Sequence, residues 1–166
     1  MKNMFFLKIN KGFTLVELIV VISLLSILLS FGVITLLRSE SSSTITSTTD
    51  TIIADLRNQQ IKAMVGNTEG RSTASEYGIH FDSNQYVLFH GLTYTPSDST
   101  NRVIEIANAL TFDNILLPGG NIIFSRISGE MSEYSQGADS IRLFHTTSKQ
   151  QKTITFNRYG VIISVN

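Results

Sequence analysis

The sequence predicts an α+β chain: a long helical N-terminal part, its first half suited to a membrane, and a small, mostly antiparallel β-sheet head. Three observations carry this. Residues 13–37 form a run of 25 that is apolar but for Glu17, Gly32 and a few Ser and Thr. No proline or glycine interrupts 38–65. Beyond Gly66 the pattern changes to short apolar or alternating runs separated by Gly, Asn, Asp and Pro turns.

The first twelve residues, MKNMFFLKINKG, carry Lys2, Lys8 and Lys11 and precede the apolar run, as a secretory signal would. The run is longer than a signal core, and no small-x-small cleavage site follows it. At its length it can span a bilayer as a helix. The lysines predict that the N-terminal end stays cytoplasmic and that the chain after Leu37 lies outside. Glu17 is the one charge in the run. A carboxylate in an apolar setting is costly unless paired, and no basic residue lies between Phe13 and Leu37.

Residues 39–50, SESSSTITSTTD, taken alone read as a linker. TIIADLRNQQIKAMV then restores helical periodicity, with Ile45, Ile52, Ile53, Leu56, Gln60 and Met64 expected on one face and an end near Gly66. Read from the residues alone, this is a transmembrane helix, a weaker Ser/Thr stretch where the chain can soften or bend, and then an amphipathic helix. GNTEGRSTAS is loop-like. EYGIHF and QYVLFH flank DSN as a hairpin. RVIEI, NIIFSRI, SIRLFHT, KTITFN and RYGVIISV complete six or seven short strands, the last two joined through a tight turn at Gly160. A head of that kind packs as an α+β layer.

Composition narrows the chemistry. The chain has 13 basic and 13 acidic residues, and without the first twelve it holds 10 basic against 13 acidic, a net of −3. That balance argues against broad electrostatic DNA binding. The absence of cysteine excludes disulfides, thiolate metal sites and cysteine nucleophiles. His80 and His90 fall on adjacent expected strands and can approach in a hairpin, but they and His145 lack the spacing of a metal set. Asp82, Asp98, Asp113 and Asp139 lie in or beside loops, without calcium-ligand spacing. No hydrolase, zincin, phosphate-loop or EF-hand string is present. No enzyme, cofactor or metal is expected.

KGFTLVELIVVISLL resembles the class III signal of type IV pilins and type II secretion pseudopilins. The resemblance implies that a prepilin peptidase cuts between Gly12 and Phe13, that Phe13 is then N-methylated, and that Glu17 becomes the fifth mature residue. Phe13 and Glu17 are spaced i, i+4 on one helix face. The new terminal amine is thus a partner for Glu17, in the same chain or in a neighbouring subunit, where the pairing sets the register of assembly. ADLRNQQIKAMV, YGIHFDSNQYVLF and ITFNRYGVIIS resemble the GspH/FimT-like minor pseudopilins. The missing cysteines depart from pilins whose C-terminal loop is closed by a disulfide.

The resemblance implies one long, continuous N-terminal helix, about 80 Å from Phe13 to Val65 at 1.5 Å per residue, its second half packed on the head; it divides the chain into a cleaved leader (1–12), a transmembrane and assembly half of the helix (13–37), an amphipathic second half (38–66) and a β-rich, pilin-like head (67–166). It implies a minor pilin or pseudopilin of a type IV pilus (fimbrium) or type II secretion pseudopilus. The chain would sit single-pass in the bacterial cytoplasmic membrane before entering an extracytoplasmic filament. The implied partners are other pilin or pseudopilin subunits, met through the N-terminal helix, the prepilin peptidase and the inner-membrane assembly platform. The alternatives are a major pilin, or a FimT-like minor pilin that takes up DNA through Lys149, Lys152 and Arg158. The tail VIISVN carries no base, and nucleic acid is not the expected partner.

Overall fold

The computed structural model describes residues 12–166, apart from the side chains of 31–39. Residues 1–11, which make up most of the expected leader, lie outside the described residues. The chain divides into two compact units, Met1–Ser39 and Glu40–Asn166.

A single α-helix, α1, runs Leu15–Met64 and includes the Ser/Thr-rich stretch. Serine and threonine favour loops because their hydroxyls compete for backbone partners. Here the hydroxyls bond inside the helix: Thr44, Thr49 and Thr51 each donate to the carbonyl four residues earlier, at 2.9, 2.7 and 2.9 Å. In the first unit Leu18 to Ile22 are each between 47% and 55% exposed. Five consecutive residues sample every direction around a helix, so among the described residues no side of this segment is covered.

In the second unit α1 buries Ile45, Thr49, Ile52, Leu56, Gln59 and Ala63. These alternate in steps of four and three, a narrow seam along one side. The seam corrects the expected face. Ile53 and Gln60 are only partly buried and Met64 is 47% exposed, whereas Gln59 and Ala63 face the core. The misreading follows from polarity. Gln59 is buried because its amide nitrogen donates to two strand carbonyls, Gly78 O at 2.9 Å and Phe89 O at 3.3 Å.

The strands are β1 (Tyr77–Phe81), β2 (Gln85–His90), β3 (Arg102–Glu105), β4 (Leu110–Leu116), β5 (Asn121–Phe124), β6 (Ser140–His145), β7 (Gln151–Phe156) and β8 (Ile162–Val165), with a 3-10 turn at Pro118–Gly120 before β5. They form two four-stranded sheets, β3-β2-β1-β5 and β4-β6-β7-β8, antiparallel at every pairing. One sheet of six or seven strands was expected. The strand without a sequence signal is β4, which has a bulge. Phe112 pairs with Leu143 and Asn114 with Arg142, leaving Asp113 extra. That residue breaks the period-two alternation by which strands are read. Asp113 in turn receives both arms of Arg142, at 2.8 and 2.9 Å. The fourth expected strand, NIIFSRI, ends at Phe124, and the chain then turns through 125–129, with Gly129 N–H donating to Ser125 O at 2.9 Å and Ile127 at a left-handed φ of 72°.

Both sheets and the α1 seam feed one core. Ile79, Phe81, Leu88, Ile122 and Phe124 come from the first sheet, and Phe112, Ile141, Leu143, Ile154 and Phe156 from the second. Gly78 sits where β1 is crowded on both sides. A Cβ there would lie 2.5 Å from Phe89 Cζ and 2.7 Å from Ile122 O. Three polar ties hold α1 to the strands and loops beneath it. Besides Gln59, Tyr86 donates to Asp55 Oδ2 at 2.6 Å, and Gln60 Nε2 donates to Gly129 O and Tyr159 O, both at 2.9 Å. Burial, and then the Asp55 carboxylate, push the Tyr86 phenol well above the usual tyrosine range.

Candidate functional site

The sequence motif around Gly12–Glu17 folds into a helix start. Thr14 occupies the N-cap of α1: its carbonyl accepts the first helical bond, from Leu18 N–H at 3.1 Å. Its hydroxyl accepts Glu17 N–H at 3.2 Å, and Glu17 Oε2 reaches back to the Thr14 N–H at 3.1 Å and hydroxyl at 3.0 Å. This reciprocal pair is a capping box, the T-x-x-E arrangement that satisfies two otherwise orphaned N–H groups. The signal lay in the sequence as Thr14-Leu15-Val16-Glu17, directly before the apolar run, and the expectation built on the Phe13 amine passed over it.

The cap makes Glu17 useful to its own chain and leaves half of it spare. Its described hydrogen bonds all use Oε2; among the described residues, Oε1 has none. Gly12 and Phe13 precede the helix without regular structure, and Phe13 is 86% exposed. A Cβ added at Gly12 would meet nothing within 4 Å. Among the described residues, therefore, the fold itself makes no demand for glycine at that position.

The three serines of the apolar segment are satisfied internally. Ser23 donates to Ile19 O at 2.7 Å, Ser26 to Ile22 O at 2.8 Å and Ser30 to Ser26 O at 2.8 Å. Such back-bonding reduces the cost of placing a hydroxyl in apolar surroundings. Among the described residues no helix is long and apolar enough to cross a membrane. The continuation of the run through 31–37 lies outside the residues whose side chains are described.

The other sequence candidates are held by their own chain. His80 and His90 sit on opposite faces of the first sheet. His80 pairs with Val87, and His90 lies three positions further along β2, an odd offset that turns it to the other face. His80 lies between Asn121 Oδ1, 2.8 Å from Nδ1, and Asp82 Oδ1, 3.3 Å from Nε2, with Tyr94 stacked on its ring. His145 is buried and accepts the N–H groups of Thr147 and Ser148 at Nδ1, closing the β6–β7 turn. Asp98 accepts the N–H and hydroxyl of Thr100, which hold its carboxyl below the usual range. Asp139 meets Tyr134 and Asp113 meets Arg142. Among the described residues no group of three or more His, Asp or Glu is placed to hold a metal ion. Lys149 and Lys152 lie at or next to the β6–β7 turn, with Lys149 Nζ 5.6 Å from the centre of the Phe144 ring. Arg158 lies in the β7–β8 turn, at the other end of β7. The three bases are not brought together.

Residues 7–33 match the family described as the prokaryotic N-terminal methylation motif. No curated protein and no solved structure matched the chain.

Proposed function

We propose, on the premise that residues 7–33 are the signal of a type IV pilin or pseudopilin, that this chain is a filament subunit, anchored through its apolar segment and released for assembly by a prepilin peptidase. The finer reading is a minor pilin or pseudopilin, cut between Gly12 and Phe13, methylated on Phe13, with its N-terminus cytoplasmic and its β-rich part outside.

One observation supports this above the others. The bond to be cut is exposed and lies outside the helix, one residue before a cap that does not depend on it. A peptidase must draw its substrate into an extended form, and here no helical hydrogen bond has to break first. The cut also creates an amine at Phe13, next to a carboxylate whose Oε1 is unused among the described residues. Glu17 can therefore keep its cap through Oε2 and offer Oε1 to that amine or to a neighbouring subunit's. The covered alternative for an all-round apolar helix is a bundle of like helices. This reading gives the segment both environments in turn: lipid first, then neighbouring helices.

Mass spectrometry of filaments sheared from the producing cells, including the N-terminal peptide, tests this. Trace amounts beginning at methylated Phe13 are expected. Dominant amounts would make it the major subunit. Intact Met1 protein confined to membranes would overturn the reading, as would efficient processing of Gly12→Trp.

A further inference from the structure

The last turns of α1 and the first sheet enclose a pocket of about 200 Å³, wholly within the 40–166 unit. Gln59 and Lys62 of α1, His90 of β2, Arg102 of β3, and Glu69 and Thr100 from loops line it. It is smaller than the roughly 300–1,000 Å³ of sites that take drug-sized ligands, so its occupant is a single small group.

One lining side chain is buried and incompletely satisfied. Gln59 is 2% exposed, and its Nε2 is committed to Gly78 O and Phe89 O. The amide cannot be turned over, because Oε1 would then face two carbonyl oxygens. Oε1 is buried and has no hydrogen-bond partner among the described residues. An acceptor in that position is costly until a donor reaches it. His90 offers a second acceptor. The Thr100 hydroxyl donates to Asp98 Oδ1 at 2.7 Å, so at 3.1 Å it accepts from His90 Nδ1. In the neutral ring that leaves Nε2 without a proton.

The charges on the wall are unequal. Glu69 is paired twice, with Lys62 Nζ at 2.6 Å and Arg71 Nη2 at 3.0 Å. Arg102 has no ion pair among the described residues. It stands across from Leu88 in the β2–β3 register, on the face from which Tyr86 reaches Asp55 of α1. A guanidinium takes a carboxylate or a phosphate through two parallel N–H bonds. Glu69 on the same wall repels a dianion more than a monoanion, so a single negative charge suits the pocket.

We infer that this pocket binds a small hydroxylated carboxylate of the sugar-acid kind, its carboxylate on Arg102 and its hydroxyls donating to Gln59 Oε1 and His90 Nε2. The inference goes beyond the filament reading and does not rest on it. A free sugar acid and the end residue of an acidic polysaccharide carry the same chemistry.

Titration of the full-length, nitrogen-15-labelled chain in detergent with sodium glucuronate, at constant ionic strength, tests the site by NMR. Saturable shifts of the Gln59 side-chain amide and the Arg102 Nε–H are expected. Glucose lacks the carboxylate and acetate lacks the hydroxyls, and each should bind about tenfold more weakly or worse. Arg102→Gln, at an exposed position, should leave the unfolding temperature of the head unchanged, weaken glucuronate about tenfold and leave glucose unaffected. Equal binding of acetate and glucuronate would show a general anion contact and overturn the inference. So would undiminished glucuronate binding by Arg102→Gln, or the absence of saturable shifts at Gln59. Tighter binding of a glucuronate oligomer than of the monomer would support the site with a polysaccharide end as its ligand, and binding of the monomer alone would support it with a free sugar acid.

Discussion

The two parts of α1 both bury or present isoleucine and leucine, and they behave differently. From Leu15 to Leu29 the isoleucines, leucines and valines are all exposed, in every direction around the axis. From Ile45 to Ala63 one seam is buried to 3% exposure or less. The difference is in number and arrangement. The second segment has fewer apolar residues, sets most of them along one side, and there meets two sheets that cover it. The first spreads them over the whole circumference, which no single sheet can cover. A helix of the second kind is complete within its own chain. A helix of the first kind needs a medium or several neighbours, which is what its signal supplies in the proposed function.

The largest expected effect breaks the comparison at its first residues. Glu17→Val should be made and inserted but lost from sheared filaments, whereas Thr14→Ala, which removes the cap hydroxyl and keeps the carboxylate, should still be incorporated. Equal loss in both variants, by quantitative mass spectrometry, would assign Glu17 to capping alone.

The same deletion placed in each segment comes next. Ile52→Ala should cost the head about 2–5 kcal/mol, since Ile52 is fully buried. Ile27→Ala, at a residue 56% exposed, should shift stability by under about 0.5 kcal/mol. Urea unfolding of the full chain in detergent, followed by tyrosine fluorescence, reads both. A matching loss for Ile27→Ala would show that the first segment is also packed on its own chain. Gly78→Ala sharpens the buried side: the added methyl must displace the Phe89 ring or the β5 backbone, and about 1–3 kcal/mol is expected. No change in the urea midpoint would mean that β1 can relax away from its neighbours.

The smallest effect is a pH dependence confined to the buried segment. Because the native state holds the Tyr86 proton more tightly than the unfolded chain, stability is complete below pH 10 and falls as pH rises through the region above it. The slope is at most about 1.4 kcal/mol per pH unit. Tyr86→Phe should flatten that fall. An unchanged alkaline slope in the variant would remove Tyr86 as its source.

Much of this was legible residue by residue. The apolar run, the unbroken helix beyond it, the β1–β2 hairpin and the tight turn at Gly160 follow from periodicity and turn chemistry, both local properties. The readings that failed each depended on a partner distant in sequence. Gln60 and Met64 look as suitable for the seam as Gln59 and Ala63 until Gly78 O and Phe89 O are there to accept the Gln59 amide. β4 has no clean alternation until β6 supplies Arg142 for the bulged Asp113. Lys149 and Arg158 are close in sequence and separated by the length of a strand. The division of eight strands into two sheets is written in no single strand, because any strand pairs equally well by its backbone.

By itself, then, the sequence determined the signal at Gly12–Glu17, the helix that follows and the α+β class, because charge, cap and period act over a few residues. Only the tertiary structure decided which side of that helix is buried, which strands share a sheet and which polar groups meet around one pocket. Those outcomes are set by steric fit and hydrogen-bond pairing between segments that meet only once the chain has folded.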